Sequence, residues 1–274
     1  GPDNLALLVW LGVDLFDLTR SRQATASGML LDRGGPRTPA TDLGETSGLE
    51  AQVEAWRSAV SEVREHLVAG TLRQLVDRQA LVAPSTVVQL RHHDETCASM
   101  DGLLERHVTR ERRLMCMAET SLHEPAVLDW VQWISAEYRA PQGLDRVLVL
   151  LPCSARKPYR FSKSHRRFIE AIGTNAVHEV MVTSPLGLVP RDLEQVWPAQ
   201  HYDLAVTGRW SADELNRIGS MLAALIEAHD YQCIVDHSGL TLPESCYGGL
   251  PREDTRQGDS AGSKAALQRL GEAV

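Results

Sequence analysis

The chain has 274 residues, of which 43% are hydrophobic and only 5% aromatic, so it can bury a core and we expect two units. Its apolar runs are far shorter than the roughly 20 residues of a membrane helix, and no secretory signal precedes them. We therefore expect a cytoplasmic protein without membrane association. The net charge of -8 disfavours nucleic-acid binding through overall charge.

The five cysteines show neither CxxC nor CxxxH spacing, which predicts free thiols and no metal site. No cofactor is expected either. Gly1 and Pro2 resemble a protease-cleavage scar, and an apolar element follows at once. We therefore expect a piece of a longer protein.

The first half of the chain is predicted to be mostly helical. Residues 5–18 form an apolar stretch with Asp14 and Asp17 near its end, which predicts a buried strand. Apolar spacing, Gly70 and two prolines then predict helices at 49–69, 71–82, 85–93, 97–108 and 125–138, with an extended segment at 109–117.

From Asp145 onward, apolar strands alternate with helices. Strands are predicted at 147–151, 178–182, 202–206 and 232–236, and helices at 163–172, near 190–196 and at 211–228. This order predicts an α/β fold, in which a parallel sheet carries helices on both faces. The predicted domains are 1–140, which is mostly helical, 141–243, which holds the sheet, and 244–274, a linker with a C-terminal helix.

Three of the predicted strands end in polar or turn-forming residues: PCS at 152–154, TSP at 183–185 and HSG at 237–239. Ligands in such folds bind at the carboxyl ends of the strands. The sequence therefore predicts a pocket lined by these three loops.

Cys153 is the candidate nucleophile of this pocket. Arg156, Lys157 and His165 lie close in sequence, and cations and helix dipoles lower the pKa of a thiol. The alternative is a small buried apolar cysteine. His165 is either a general acid or base or a packed capping residue, and Lys157 either acts on the ligand or is exposed.

The segment 156–167 holds no acidic residue, which predicts an anion-attracting patch or, alternatively, a solvated start of a helix. Its members are Arg156, Lys157, Arg160, Lys163, Arg166 and Arg167, with Tyr159 and Phe161 interleaved.

One pattern in this region resembles a known family. Pro152-Cys153, Lys157-Pro158-Tyr159, Ser162 and His165 form the motif PC-x3-KPY-x2-S-x2-H, which resembles the signature of the archaeosine synthases, transglycosylase-like enzymes of archaeal tRNA modification. The resemblance continues through residues 177–210. It implies a domain similar in fold to uracil-DNA glycosylases, with PCSARKPY in place of their catalytic loop and His237-Ser238 in place of their late histidine loop.

Residues 10–31 resemble the end of a tRNA-guanine transglycosylase barrel, and Asp17 matches the nucleophile of that family. Most of the barrel and its Cys-x-Cys-x2-Cys zinc motif are missing from this sequence. We therefore expect residues 1–140 to be a transglycosylase-like remnant, in which Asp17 is a relic or a structural cap.

The resemblance implies an enzyme that adds an amine, with lysine as the favoured donor, to the nitrile of 7-cyano-7-deazaguanine in tRNA. It also implies a transferase or amidotransferase-like reaction, and it leaves open a radical-SAM partner and a homo-oligomer. Either a Cys153 thiolate attacks the nitrile, or the amine attacks directly and Cys153 shapes the site. Lys157 and Tyr159 would polarise the nitrile nitrogen or hold the base, and Ser162 would position His165. Arg156, Arg160 and Arg166 would contact nucleic-acid phosphate. The residues expected to bind substrate are Pro152, Ser154, Arg156, Ser184 and His237.

Two other interpretations remain open. One is a non-catalytic domain that binds a nucleobase or RNA. The other is an enzyme that acts on a free or DNA-borne 7-deazaguanine.

Overall fold

The computed structural model describes residues 1–98, 113–116, 119–203 and 209–274. The chain divides into two compact units, of which unit 1 is Gly1–Val108 with Met117–His123 and unit 2 is Thr109–Cys116 with Glu124–Val274. Most of the predicted helix 97–108, and residues 204–206 of the predicted strand 202–206, lie outside the described residues. No described helix has the length and apolarity to cross a membrane.

Unit 1 contains five helices and one hairpin among its described residues. Its elements are α1 (Leu5–Trp10), α2 (Thr19–Ala26), β1 (Leu30–Asp32), β2 (Gly35–Arg37), α3 (Leu49–Ala69), α4 (Leu72–Ala80) and α5 (Pro84–Ala98). The predicted helix at 49–69 is confirmed to the residue, and the predictions for 71–82 and 85–93 place helices where α4 and α5 lie.

The strand predicted for residues 5–18 is wrong. Leu5, Leu7 and Trp10 lie in α1 and are buried in one hydrophobic cluster with residues of α3 and α4, whereas Leu15 is 90% exposed. A short continuous apolar run does not distinguish a buried strand from a buried helix. Packing against α3 and α4 decides in favour of the helix.

A buried ion-pair cluster lies within unit 1. Arg73 is 6% exposed and donates hydrogen bonds to both carboxylate oxygens of Asp94, at 2.8 and 2.7 Å, and to Asp77 at 3.0 Å. Asp77 also accepts from the hydroxyls of Thr120 and Ser121. Burial costs these carboxylates little free energy, because nearly every carboxylate oxygen accepts a hydrogen bond.

Unit 2 is built on a five-stranded mixed sheet. Its elements are β3 (Leu114–Met115), α6 (Pro125–Ala136), β4 (Val147–Pro152), α7 (Lys163–Ile172), β5 (His178–Thr183), β6 (Gly187–Pro190), β7 (Tyr202–Asp203), α8 (Ala212–Glu227), β8 (Cys233–Asp236), β9 (Arg252–Asp254) and α9 (Lys264–Glu272). The sheet order is β6-β5-β4-β8-β9, and β3 pairs with β7 separately in parallel.

The predicted parallel sheet is confirmed for β5, β4 and β8, while β6 is an unpredicted antiparallel strand. It follows β5 directly after a short loop that ends at Gly187. Gly187 has a φ of 75°, which favours glycine, and a Cβ there would collide with the sulfur of Met221. The hairpin is therefore specified by one glycine and by the close approach of α8.

Helices cover both faces of this sheet. The connection from β4 through α7 leads to β5 on one side, and the connection through α8 leads to β8 on the other. Since crossovers between parallel strands are right-handed, these opposite directions place α7 and α8 on opposite faces. In agreement, α7 packs with α9, whereas α8 packs with α6 and β6.

Two predicted domain boundaries differ from the observed units. Helix α6 packs with α8 and β6 in unit 2, although the predicted boundary was at residue 140. The predicted linker at 244–263 is instead folded, since β9 pairs with β8 and Thr255 is completely buried. A composition rich in Gly, Asp, Arg and Ser resembles a linker, but backbone pairing with a sheet edge does not depend on side-chain hydrophobicity. The predicted C-terminal helix is present as α9.

We expect Asp94→Ala to lower the free energy of unfolding by about 3 to 5 kcal/mol, because it leaves the Arg73 guanidinium buried without its bidentate partner. Urea unfolding measures the change. Glu54→Ala is the matched control, since Glu54 pairs with Arg57 at 3.6 Å with both side chains more than 70% exposed, and should cost less than about 1 kcal/mol. Equal losses in the two variants would contradict this account of unit 1.

Candidate active site at the carboxyl ends of two strands

The half-buried thiol of Cys153 lies directly after β4. On one side β4 pairs with β5, and Pro152 of β4 lies opposite Val182 of β5. Thr183 follows Val182, and its side chain lies close enough to the sulfur of Cys153 to lower the pKa of the thiol. The in-register parallel pairing of β4 and β5 therefore brings the thiol and a buried hydroxyl together.

Three buried hydroxyl groups form a chain that begins beside Cys153. The Thr183 hydroxyl lies 2.5 Å from the Tyr202 hydroxyl, which in turn hydrogen-bonds the hydroxyl of Tyr159. Both tyrosines are at most 2% exposed. Burial raises the pKa of both phenols, so they remain protonated. Together they form a chain of hydrogen bonds that can orient its protons towards the sulfur.

Lys157 is half-buried in the same site. Its ammonium nitrogen lies 4.1 Å from the centre of the Tyr202 ring, which is cation-π distance. Burial lowers the pKa of Lys157, and the charges of Cys153 and then Asp203 oppose that shift. An amine with a lowered pKa exchanges protons more readily near neutral pH than an exposed lysine does.

The surroundings of Cys153 do not favour the expected thiolate. Burial raises the pKa of the thiol above its ordinary value, and the opposing effects of the Lys157 ammonium and the Thr183 hydrogen bond are smaller. The prediction of a lowered pKa is therefore wrong. It counted the nearby cations but not the desolvation of the charged form, which is the larger effect here.

His165 supports the end of β4, directly before Cys153. It is completely buried in α7, and its Nε2 lies 3.0 Å from the carbonyl oxygen of Pro152. Arg191 approaches Nδ1 at 3.0 Å. Because a guanidinium can only donate, Nδ1 accepts and the proton is on Nε2, which donates to Pro152.

The predicted role of His165 as a general acid or base does not fit this arrangement. Burial, and next the charge of Arg191, lower the pKa of His165 to about 3, and both ring nitrogens are occupied. Its position is explained by the alternative interpretation of a packed residue. His165 fixes the backbone that carries the thiol.

Arg191 is held by two carboxylates. It pairs with Glu179 at 2.7 Å and with the completely buried Glu194 at 3.0 Å. Glu194 also accepts from the backbone and side chain of Arg160. This network links β5, the segment after β6 and the loop that carries Lys157 and Tyr159.

The remaining predicted residues have different surroundings. The Ser162 hydroxyl caps α7 by accepting from the amide of His165 at 3.1 Å, so it positions His165 through the backbone. Ser154 donates to the carbonyl of Arg156 within its own loop, and the Arg156 side chain is exposed. Ser184 is 6% exposed, and its hydroxyl has no hydrogen-bond partner among the described residues. Ser184 directly follows Thr183, so this buried hydroxyl lies at the carboxyl end of β5.

His237 does not fit its predicted role in substrate binding. It is completely buried, with Thr255 at 2.7 Å from Nδ1 and the Ala261 carbonyl at 2.9 Å from Nε2. Both nitrogens are therefore used to hold the segment that was predicted to be a linker. The third loop of the predicted pocket contributes a structural residue.

Asp17 is exposed in unit 1 and accepts a hydrogen bond from the amide of Thr19 at the start of α2, at 2.9 Å. This hydrogen bond is the main cause of its lowered pKa. The geometry is that of an Asx turn just before α2, whose N-cap residue is Leu18. Among the described residues, no group of three or more His, Cys, Asp or Glu side chains could hold a metal ion.

Sequence reasoning missed Thr183, Tyr202 and Arg191. Thr183 lies in the TSP segment at 183–185, in which Ser184 alone was predicted to bind substrate. Tyr202 and Arg191 reach the site from distant parts of the chain, and no local spacing connects them with Cys153.

A protein family described as "Domain of unknown function (DUF5591)" matches residues 127–274. The chain belongs to this family. The match covers the β4 and β5 strand ends, Lys157 and the Arg191 network, so the DUF5591 domain contains the complete candidate site.

Curated relatives extend the similarity to both units. The archaeosine synthase of Haloferax volcanii is 34% identical over 262 residues, which cover 90% of this chain and 43% of that protein. The "Archaeosine synthase subunit alpha" of Methanosarcina acetivorans is 36% identical over 273 residues, which cover 89% and 43%. The similarity expected from the PC-x3-KPY-x2-S-x2-H motif is confirmed. The chain spans less than half the length of these relatives.

A solved structure named "Crystal structure of AF0587, a protein of unknown function" is 24% identical, covers 53% of this chain and 49% of that chain, and has a TM-score of 0.40. A likeness at this level does not establish a shared fold.

We expect the protein to become less stable as the pH falls from about 7 to about 4. Burial lowers the pKa values of His165 and His178 to about 3 in the folded chain, whereas unfolded histidine titrates near 6.5. The unfolded state therefore binds more protons below pH 6.5, and each histidine reduces stability by up to about 1.4 kcal/mol per pH unit. Urea midpoints at several pH values measure this slope.

His165→Asn should reduce that slope, and His92→Asn, at an exposed position in unit 1, should leave it unchanged. A slope that is the same in all three proteins would contradict the buried neutral state of His165.

We expect Cys153 to react slowly with iodoacetamide at neutral pH and faster as the pH rises above 9, because burial raises its pKa. Lys157→Met should move this profile to still higher pH, since the ammonium that favours the thiolate is lost. Mass spectrometry of the Cys153 peptide measures the rate, and Lys264→Met, at an exposed position, is the control. A profile that Lys157→Met does not move would show that the two groups are uncoupled.

Proposed function

We propose that this chain takes part in archaeosine formation by adding an amine, with lysine as the favoured donor, to the nitrile of 7-cyano-7-deazaguanine in tRNA. The observation that carries the proposal is the pairing of the Cys153 thiol and the Lys157 amine in one half-buried site, where each affects the pKa of the other. The names of the curated relatives support the substrate class.

The two groups suit addition to a nitrile. The Cys153 proton passes to the Lys157 amine, and the resulting thiolate forms a bond to the nitrile carbon while one carbon-nitrogen π bond breaks. The Lys157 ammonium then protonates the nitrile nitrogen, which gives a thioimidate. A thiol with a raised pKa is a stronger nucleophile once it is deprotonated, and an amine with a lowered pKa is a stronger acid once it is protonated.

The second half of the reaction releases the enzyme. The incoming amine attacks the thioimidate carbon, the carbon-sulfur bond breaks, and a proton lost from the amine returns to the sulfur through Lys157. The product is an amidine, and Cys153 is again a thiol. The hydroxyl chain of Thr183, Tyr202 and Tyr159 stabilises the sulfur whenever it is charged.

The support residues complete this proposal. His165 and Arg191 hold the backbone before Cys153, and the unpartnered hydroxyl of Ser184 donates to the bound base. The sheet with its site at the carboxyl ends of the strands supports the proposed similarity to the uracil-DNA glycosylase fold. Residues 1–140 remain proposed as a transglycosylase-like remnant.

The name "Archaeosine synthase subunit alpha", carried by a relative, supports the proposal of a further protein that acts with this one. Its proposed chemistry is radical-SAM cleavage of the lysine adduct to the amidine of archaeosine.

The second candidate function is a nucleobase-binding or RNA-binding domain without chemistry. The raised pKa of Cys153 favours it, because the resting thiol is uncharged. The same pocket would then hold a base through the Ser184 hydroxyl and the Lys157 amine.

The test incubates the chain with lysine and a tRNA that contains 7-cyano-7-deazaguanine, followed by digestion and mass spectrometry of the nucleosides. We expect a new nucleoside with the mass of the lysine adduct, which is lost in Cys153→Ser and Lys157→Met and retained in the half-buried control Cys233→Ser. Parallel reactions with glutamine or ammonia identify the donor, and reactions with the free base or a DNA identify the substrate class.

Two results would reject parts of the proposal. Binding of the tRNA without product from any donor would favour the binding domain. Product formation by Cys153→Ser, with Lys157→Met inactive, would favour direct attack by the amine over the covalent route.

A further inference from the structure

The basic patch predicted at 156–167 divides into two groups in the structure. Lys157 lies in the site beside Cys153, and Arg160 pairs with the buried Glu194. The other four cations, Arg156, Lys163, Arg166 and Arg167, have exposed side chains. We call these four residues, together with the exposed Phe161, the basic ridge.

The cations of the ridge lack neutralising partners. Within the described part of the chain, the side chains of Lys163, Arg166 and Arg167 have neither an ion pair nor a hydrogen bond. The nearest acidic residue in sequence is Glu170, on the same helix, and it forms no ion pair with them in the described structure. A chain with a net charge of -8 therefore carries a local surface of opposite sign.

The arrangement reduces the stability of α7. Lys163, Arg166 and Arg167 are spaced i, i+3 and i+4, so they share one helix face and repel one another. They also lie in the first half of the helix, where the backbone dipole disfavours cations. An anionic partner that binds along this face removes both unfavourable effects.

Phe161 indicates which class of anion binds. Its ring is 44% exposed between Arg160 and Lys163 in sequence, although Tyr159 and Phe168 nearby are buried. An exposed aromatic ring among cations is typical of surfaces that bind single-stranded nucleic acid, where bases stack on rings and phosphates pair with the cations. A simple phosphate or a carboxylate-rich peptide gains nothing from the ring.

We propose that the basic ridge is the surface along which an RNA backbone approaches Cys153, with its phosphates at Lys163, Arg166 and Arg167 and one unpaired base on Phe161. The ridge adjoins the site along the chain, because Arg156 lies in the loop between Cys153 and Lys157, and Tyr159–Phe161 leads into α7. This inference rests on the proposed function only for the identity of the base that enters the site.

The test measures binding of a fluorescently labelled tRNA transcript at several salt concentrations. The double variant Arg166→Glu with Arg167→Glu should bind at least about tenfold more weakly, and the slope of log affinity against log salt should fall by about 1.5 for two lost phosphate contacts. Acidic residues early in α7 are compatible with its dipole, so the variant should fold, which circular dichroism checks.

The matched control is Arg64→Glu with Arg91→Glu, two exposed helical arginines of unit 1 with the same change in net charge. This control should leave the salt slope unchanged. Phe161→Leu should weaken binding about fivefold or more without altering the slope, because it removes stacking and no charge.

The possible results separate this inference from the proposed function. Equal weakening in the ridge and control variants would overturn the ridge, and so would heparin binding equal to that of tRNA with no effect of Phe161→Leu. Loss of tRNA binding in the ridge variant supports it even where wild-type protein forms no lysine adduct. The ridge variant should react with the free base 7-cyano-7-deazaguanine as the wild type does, because its substitutions lie outside the site.

Discussion

The buried contacts of Arg191 are the constraint on which the candidate site depends. Glu179 and Glu194 hold its guanidinium, which donates to His165, and His165 donates to the carbonyl of Pro152, the residue before Cys153. Each contact determines the next one, because a guanidinium only donates and an imidazole with one accepting nitrogen has one proton left. The position of the thiol therefore depends on Arg191, which directly follows the β5–β6 hairpin in the chain.

Charge in this site is determined by burial more than by the neighbouring cations. The Cys153 thiol and the Lys157 amine both move towards their neutral forms, although each would stabilise the charge of the other. Burial therefore opposes a resting ion pair between the two groups. Burial likewise leaves His165 neutral, and both of its ring nitrogens are used to support the end of β4.

The fold and the site could be predicted to different extents. The helices at 49–69 and 163–172 were predicted to the residue, because apolar spacing, with Gly70 at the end of the first helix, is a local signal. The strand predicted at 5–18 was wrong, since an apolar run suits two buried conformations. Cys153 and Lys157 were found from one motif, whereas Tyr202 and Arg191 were missed because only the folded chain brings them there.

The sequence by itself determined the alternation of strands and helices, the placement of Cys153 at the end of a buried strand and the similarity to archaeosine synthases, because each depends on residues close together in the chain. The tertiary structure decided the antiparallel β6, the folding of residues 244–263 onto the sheet and the neutral state of the thiol. It also divided six neighbouring cations into a site residue, a paired arginine and an exposed ridge. Burial, pairing and desolvation depend on which distant segments pack beside a residue in the folded chain. A local sequence pattern does not specify those segments.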